Sequence, residues 1–326
     1  MRILAGDVGG TKALLSIFEW EGGRLRTLRE ERYPSAEVEG LHTLVELFCG
    51  EDLCTIDRAC FGVPGPVLDG EVRAVNLPWN ISARQVAERT RIGAVVLIND
   101  FEAVGYGLEA LEPHDLLVLQ EGRHAPRRPA ALIGAGTGLG EAFLLWIGDR
   151  RIVYPTEGGH TDFAPRNELE CRLLLYLARR FGHVSYERVL SGPGLVNLYR
   201  FLVDEGIEGR SIDVEREMQR EDPAAVISAR AIDRADPACE RALDLFLSIY
   251  GAEAGNLALK VLASGGVYVA GGIAPRITTA FAAGTFLAAF RDKGRHDPLM
   301  EEIPVRVVRN VRVGLLGAAR FAALLP

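Results

Sequence analysis

The sequence predicts an α/β protein with two domains. Apolar stretches typical of strands alternate with stretches that carry helix-capping residues, the usual pattern of this fold class. The length of 326 residues suits two domains of ordinary size. A strand, a glycine-containing turn and a second strand occur near the N-terminus and again from Ala131, which indicates two related halves.

The two strand–turn–strand units have the same order of elements. They are predicted over residues 2–5, 6–11 and 13–18 in the first unit, and over 131–133, 134–140 and 142–145 in the second.

The second unit lies in an apolar segment, 130–148, in which Thr137 and Glu141 are the only polar side chains. The segment is long enough to resemble a membrane span. Because it holds five glycines, however, it favours a strand, a turn and a strand.

Further elements follow from capping signals. Ser82 is predicted to cap a helix that ends at Gly93, before a buried strand over 94–98. Asp222 and Asp236 each precede a proline, the typical N-cap and first position of a helix. The helix after Asp236 is predicted to reach about Leu262. The polar stretch 205–222 is expected at the surface.

Composition excludes several classes of protein. Apolar residues make up 48% and charged residues 25%, which excludes disordered, collagen-like and disulfide-scaffold chains. The net charge of −7 argues against a nucleic-acid partner, which needs a basic surface. The nearest approach to a basic patch, formed by Arg123, His124, Arg127 and Arg128, is interpreted as a solvated loop.

The cysteines and the N-terminus bear on the compartment. Cys49, Cys54, Cys60, Cys171 and Cys239 match no zinc or redox spacing, so reduced thiols in a cytoplasmic protein are expected. The apolar stretch before Asp7 is too short for a signal peptide. No membrane association is expected.

The glycine turns can bind phosphate. Glycine lets backbone amides approach phosphate oxygens closely. Asp7 would repel phosphate unless a cation lay between them, so the first turn implies Mg²⁺. The hydroxyls of Thr11 and Thr137 can donate to phosphate, and Lys12 can either reach phosphate or face solvent. Two ordinary hairpin turns are the alternative interpretation.

Two common nucleotide motifs are absent from the sequence. No P-loop pattern of glycines followed by Lys and Ser or Thr occurs. The glycines of 134–140 do not fit a dinucleotide-binding turn, and a strand rather than a helix is predicted after them.

Asp100 follows the predicted strand 94–98, and the carboxyl ends of such strands point into ligand crevices. A carboxylate there can accept a proton from an attacking hydroxyl. The alternative is that Asp100 caps a helix beginning near Phe101.

Three further polar residues can bind a ligand. Glu157 and His160 flank two glycines in a tight loop, where they suit the vicinal hydroxyls of a sugar, while no third metal ligand follows at a suitable spacing. Glu187 can add another acceptor or be a solvated helix residue. Gly271 and Gly272, after a predicted strand over 267–270, can lie flat against a nucleotide base or form a plain strand-to-helix turn.

Taken together, these segments resemble the bacterial glucokinase family, a branch of the sugar kinase, actin and heat-shock ATPase superfamily. The matching segments occur in the family's order over nearly the whole chain: 6–11, 98–101, 134–140, 157–165, 183–185, 187–195 and 269–276. The first and third indicate only the superfamily. The segments that begin at Glu157 and Glu187 are much more specific.

The resemblance implies a two-domain, actin-like and ribonuclease H-like ATPase fold of the hexokinase type, with the active-site cleft between the domains. It implies a small α/β domain over 1–109 plus 310–326 and a large one over 110–309. It also implies a cytoplasmic homodimer that phosphorylates glucose on its 6-hydroxyl with ATP and Mg²⁺, feeding glycolysis.

Residue by residue, the resemblance implies these roles. Asp100 is the catalytic base. Asn99, Asp100, Glu157, His160 and Glu187 bind glucose. The ATP-binding residues are Gly6, Asp7, Val8, Gly9, Gly10, Thr11, Gly136, Thr137, Gly138, Gly271 and Gly272, with Asp7 holding Mg²⁺ through water.

The sequence departs from the family in one position, because Lys12 stands where members often have Asn. A related sugar-kinase family uses a cysteine-rich zinc motif, which the five cysteines here do not form. Three alternatives stay open: a kinase for fructose or mannose, a non-catalytic sugar sensor, and an ATPase with a protein partner.

Overall fold

A computed structural model describes residues 1–10, 12–35, 38–72, 79–123 and 125–325. The chain divides into two compact units, Met1–Pro113 with Asn310–Pro326, and His114–Arg309. Both contain strands and helices, so the α/β class is confirmed. Within the described ranges, no helix is both long enough and apolar enough to cross a bilayer.

The first unit is built on a five-stranded sheet in the order β3-β2-β1-β4-β7. Its strands are β1 (Arg2–Val8), β2 (Lys12–Glu21), β3 (Arg24–Pro34), β4 (Arg58–Val63) and β7 (Ala94–Asn99), with a separate pair β5 (Glu71–Val72) and β6 (Ile81–Ser82). Strand β2 is antiparallel to β1 and β3, whereas β4 is parallel to β1 and β7.

Both faces of this sheet are buried. Along β1, Leu4 belongs to one apolar core, whereas Ile3 and Ala5 belong to the other, as the two-residue repeat of a strand requires. The helices of this unit are α1 (Leu41–Cys49), α2 (Ala83–Thr90), α3 (Asp100–Gly107) and α12 (Val313–Ala323).

Helices α3 and α12 cross at close range. A Cβ on Gly107 would overlap the carbonyl oxygen of Val313, and one on Gly317 would overlap that of Ala103. This packing holds α3 beside the sheet and therefore fixes where its first residue, Asp100, lies.

The second unit has a six-stranded sheet in the order β11-β10-β9-β12-β13-β8. The strands are β8 (Leu116–Gln120), β9 (Ala130–Ala135), β10 (Leu139–Ile147), β11 (Arg150–Thr156), β12 (Gly266–Ala270) and β13 (Val305–Val308). The helices are α4 (Glu168–Phe181), α5 (Gly192–Asp204), α6 (Ile212–Met218), α7 (Pro223–Ile232), α8 (Pro237–Val261), α9 (Thr278–Ala282), α10 (Thr285–Arg291) and α11 (Asp297–Glu302).

Helix α8 forms the centre of this unit's core. The ring of Tyr250 lies edge-on to Phe246 and Phe286. Its buried hydroxyl accepts a hydrogen bond from the backbone N–H of Ala135 at 3.0 Å, which ties the helix to the end of β9.

The two sheets confirm the predicted repeat. In each, the first hairpin is antiparallel (β1–β2 and β9–β10), and the first strand is also parallel to a strand from later in the chain (β4 and β12). A second parallel pairing follows in both, β4 with β7 and β12 with β13.

Several predicted boundaries were wrong. Strand β1 continues to Val8, because Gly6 and Asp7 pair with Leu15 and Leu14 of β2. In the second unit, β9 runs to Ala135 and β10 begins at Leu139, which leaves a turn of 136–138.

The helix capped by Ser82 ends at Thr90 rather than at Gly93, since Arg91 adopts the left-handed conformation that closes it. The caps at Ser82, Asp222 and Asp236 are confirmed. The polar stretch 205–222 is largely exposed, but it also contains α6 around the buried Val214.

Candidate active site

The first glycine turn follows β1. The N–H of Gly9 donates to the carbonyl of Lys12 at 2.9 Å, closing the turn, and the Lys12 side chain is exposed. Thr11 lies outside the described residues. Gly6 lies in the strand, where a Cβ would come within 2.5 Å of Phe61 and 2.8 Å of Leu15, so glycine is required there by packing.

Asp7 lies near the end of β1. Burial raises the pKa of its carboxyl, while the guanidinium of Arg32 acts in the opposite direction. An oxygen ligand of this kind fits Mg²⁺. In the described part of the chain no cluster of three or more His, Cys, Asp or Glu residues could hold a metal.

Asn99 and Asp100, at the end of β7, have different places at the start of α3. The Asn99 side chain is the N-cap of α3, accepting from the N–H of Phe101 at 2.9 Å and of Glu102 at 3.2 Å. The prediction that Asp100 caps this helix was therefore wrong. Asp100 is instead the first helical residue, exposed, with one carboxylate oxygen 2.8 Å from the Phe101 N–H.

Gly62, on β4 opposite the first turn of α3, allows Asp100 to take this place. A Cβ on Gly62 would lie 3.1 Å from the Ala103 side chain and 3.5 Å from the Asp100 Cα. The absence of a side chain thus lets the first turn of α3 lie directly against the strand.

The second glycine turn is held from two sides. The N–H of Gly136 donates to the carbonyl of Gly138 at 2.8 Å, and the N–H of Gly192, at the start of α5, donates to the carbonyl of Gly136 at 2.8 Å. On the other side, the Glu187 carboxylate accepts from the N–H of Leu139 at 3.1 Å. A Cβ on Gly138 would overlap that carboxylate.

Glu157 and His160 lie on one tight turn. Residues 158–160 form a 3-10 turn, and the Glu157 carboxylate lies 3.8 Å from Nε2 of His160, both side chains being exposed. The Thr156 hydroxyl accepts from the N–H of Gly158 at 3.1 Å and anchors the turn to β11. A Cβ on Gly159 would overlap the carbonyl of Leu139.

Leu139 thus joins three of the predicted sugar ligands within the second unit. Its N–H binds Glu187, and its carbonyl packs against the turn that carries Glu157 and His160. Asn99 and Asp100 are neighbours at the strand end of the first unit.

Gly271 and Gly272 form the turn after β12, beside the second glycine turn. Gly271 has a φ of 87°, and a Cβ on it would overlap the carbonyl of Ala135, so glycine is required on both counts. The N–H of Ile273 donates to the same carbonyl at 3.2 Å. This places Gly272 next to Gly136.

A cleft of about 560 Å³ opens between these turns and the helices α5 and α7, a volume typical of small-ligand sites. Its lining includes the predicted residues Gly136, Thr137 and Gly272. It also includes residues to which the sequence analysis assigned no part in ligand binding: Arg180, Asn197, Arg200, Asp222, Ser228 and Arg276. Only the position of Arg276, four residues after Gly272, offered a signal in the sequence.

The comparisons with known proteins agree over the whole chain. Residues 4–325 match the family model described as Glucokinase. A glucokinase of Nostoc sp. (strain PCC 7120) is 44% identical, with 99% of each chain covered.

Among solved structures, a glucokinase from an Antarctic psychrotroph has a TM-score of 0.84 at 30% identity, with 99% of this chain and 98% of that one covered. A glucokinase from Balamuthia mandrillaris in complex with glucose has a TM-score of 0.79 at 22% identity, over 99% and 93%. At this identity, the similarity concerns the fold alone.

Fold and site together define the class of hexose kinases with two glycine turns, one in each repeated sheet. Within that class, the chain belongs to the glucokinase family.

Proposed function

We propose that this chain transfers the γ-phosphoryl group of ATP to the 6-hydroxyl of D-glucose. One observation carries the proposal beyond family membership. Asn99 takes over the capping of α3, which leaves the Asp100 carboxylate exposed at the end of a sheet strand. That is the position at which α/β folds bind ligands.

In the proposed reaction, Asp100 accepts the proton of the 6-hydroxyl as its oxygen attacks the γ-phosphorus. The new oxygen–phosphorus bond forms while the bond to the β–γ bridging oxygen breaks, and ADP leaves. General-base assistance is worth about 10²–10⁴-fold in rate. The remainder comes from positioning and charge stabilisation.

The sugar is held by Asn99, Glu157, His160 and Glu187 together with Asp100. Carboxylates and an imidazole suit hydroxyl groups because they accept and donate at fixed positions. A hydrogen bond to a charged group contributes about 1.5–3 kcal/mol. A site built to hydrogen-bond a hydroxyl can reject a sugar that has no hydroxyl at that position by about 10⁴-fold. The family matches at Glu157, His160 and Glu187 favour glucose over fructose or mannose.

The nucleotide is bound by the two glycine turns and by Gly271–Gly272. The amides of Gly10, Thr137 and Gly138 face phosphate, since those of Gly9 and Gly136 donate within their own turns. The cleft beside Gly272 receives the nucleoside. The hydroxyls of Thr11 and Thr137 donate hydrogen bonds to phosphate. When bound beside the Asp7 carboxylate, Mg²⁺ would neutralise phosphate charge.

The proposal also covers assembly and compartment. All five cysteines are free thiols, which supports a reducing compartment, the cytoplasm. The place in glycolysis rests on the family resemblance. The homodimer rests on the family resemblance alone. Light scattering on the purified chain tests it, and a monomeric mass at assay concentration would refute it.

The decisive experiment measures ADP release from ATP·Mg²⁺ with glucose, fructose, mannose or no sugar. We expect release that requires a sugar and is fastest with glucose. Release without sugar would instead establish an ATPase. Calorimetric binding of glucose without any release would establish a sugar sensor.

A further inference from the structure

A buried carboxyl group lies directly beneath the turn that carries Glu157 and His160. Glu141, on β10, is 2% exposed, in a strand whose other side chains are apolar. A Cβ on Gly158 would overlap its carboxyl oxygen and lie 2.9 Å from its carboxyl carbon. The Glu141 side chain is therefore in direct contact with the backbone of the turn.

The carboxyl group of Glu141 lacks the partners that a buried charge needs. Its Oε1 atom is buried and has no hydrogen-bond partner among the described residues. Leaving an ionised oxygen in that state is costly, whereas a neutral carboxyl group tolerates it far better.

The groups that face Glu141 come mainly from α8. They are the fully buried carboxylate of Glu253, the ammonium group of Lys260 and the hydroxyl of Tyr250. On the turn side, the Thr156 hydroxyl donates to the backbone carbonyl of Glu141 at 3.1 Å, and Glu157 and His160 lie on the same turn.

The cations near this site are engaged with Glu253. Lys260 lies 3.4 Å from the Glu253 carboxylate, and Asn256 donates to it at 2.9 Å. Lys293, whose charge also faces Glu253, donates to the Asn256 side chain and the Ala252 carbonyl. Among the described residues, Glu253 therefore has an ion pair and a hydrogen bond, whereas Lys260 acts on Glu141 through its charge alone.

Burial and the neighbouring Glu253 raise the pKa of Glu141 to about 7, against a smaller opposite effect of Lys260. The group consequently changes its charge close to neutral pH.

We propose that Glu141 is a positioning residue for sugar binding: in its neutral form it supports the turn at Gly158, and its ionisation weakens the hold on glucose. This inference rests on the proposed function, because it takes Glu157 and His160 as sugar ligands. The ionised carboxylate repels Glu253 and needs water or a donor. It obtains either by moving away from Gly158, and the turn then loses its support.

Two substitutions that both favour the neutral form at position 141 test this role. Glu141→Gln keeps the shape of the neutral acid and removes its titration. Lys260→Gln removes the cation that favours the ionised form, at a side chain that is half exposed. Glu121→Gln, at an exposed acid, is the matched control.

The experiment measures kcat and KM for glucose, and the calorimetric Kd for glucose, from pH 5.5 to 9. In the wild type we expect KM and Kd to rise about five-fold or more as pH passes through 7, with a much smaller change in kcat. Glu141→Gln should stay at the low-pH value throughout. Lys260→Gln should shift the rise to higher pH, and Glu121→Gln should follow the wild type.

His160 is present in every variant, so the differences between the variants report the substituted position alone. Coincident pH profiles of wild type and Glu141→Gln would overturn the positioning role while leaving the proposed kinase intact. Binding without turnover would refute the kinase but still test the role through Kd. A wild type that neither binds nor phosphorylates glucose would overturn both.

Discussion

The two glycine turns occupy equivalent places in two sheets of the same strand order, yet their surroundings differ in kind. The turn after β1 has a partly buried carboxylate, Asp7, at the strand end that precedes it. The turn after β9 has Ala135 there, and its neighbours come from elsewhere in the unit: Glu187, Gly192 and Gly272.

The difference indicates how one architecture serves two tasks. In the first unit the charged groups, Asp7 and Asp100, lie at strand ends, where a cation and a reacting hydroxyl can meet them. In the second unit the turn is packed between a helix start, a carboxylate and a second glycine turn, which suits binding. The fold supplies the turn, and the residues around it decide the chemistry.

The largest effect should separate chemistry from binding. Asp100→Asn is expected to lower kcat about 10²–10⁴-fold, because the amide cannot accept the hydroxyl proton. Glucose affinity, measured by calorimetry, should change little. Asp52→Asn, at an exposed site of the same unit, is the control. Near-normal turnover in Asp100→Asn would show that Asp100 is not the general base.

The next effect concerns the second turn. Gly138→Ala places a methyl group where the Glu187 carboxylate lies, so that side chain must move and release the Leu139 N–H. We expect KM for glucose to rise about 10–100-fold, the equivalent of one charge-assisted hydrogen bond. Gly209→Ala, with nothing within 4 Å of the added carbon, should leave KM for glucose unchanged. An unchanged KM in Gly138→Ala would argue against Glu187 as a sugar ligand.

A smaller effect should appear in stability rather than in binding. Gly6→Ala forces a methyl group against Phe61 and Leu15, and overpacking of this kind costs about 1–3 kcal/mol. Urea unfolding measures the loss. Adding Phe61→Leu makes room, so the double variant should lose less than the sum of the single changes. Strict additivity would show that the clash is relieved elsewhere.

The smallest effect compares helix ends in the two units. Helix α2 closes on Arg91 (φ 59°) and α8 on Leu262 (φ 49°), both in the left-handed region that favours glycine. Arg91→Gly and Leu262→Gly should each stabilise by about 0.5–1 kcal/mol, raising Tm by a few degrees. The reverse change is Gly182→Ala, at the positive-φ cap of α4, and it should lower Tm. A change in Tm of the same sign in all three variants would contradict this reasoning.

Several features were predictable because they depend on neighbours along the chain. The caps at Ser82, Asp222 and Asp236 need only a side-chain acceptor two or three residues before the N–H that it binds. The strand after 136–138 follows from a local apolar run. The roles assigned to Asp100, Glu157, His160 and Glu187 remain proposals, carried by motif resemblance and by their placement.

The sequence by itself determined the α/β class, the repeated strand–turn–strand unit and the family, because each is encoded in short-range patterns that recur in order. Only the tertiary structure decided why Gly6 is glycine, what lines the cleft beside Gly272 and what surrounds Glu141. Those properties depend on Phe61, Arg180 or Glu253, residues far along the chain that folding brings into contact. Burial and close approach are set by such distant neighbours, and no local pattern records them.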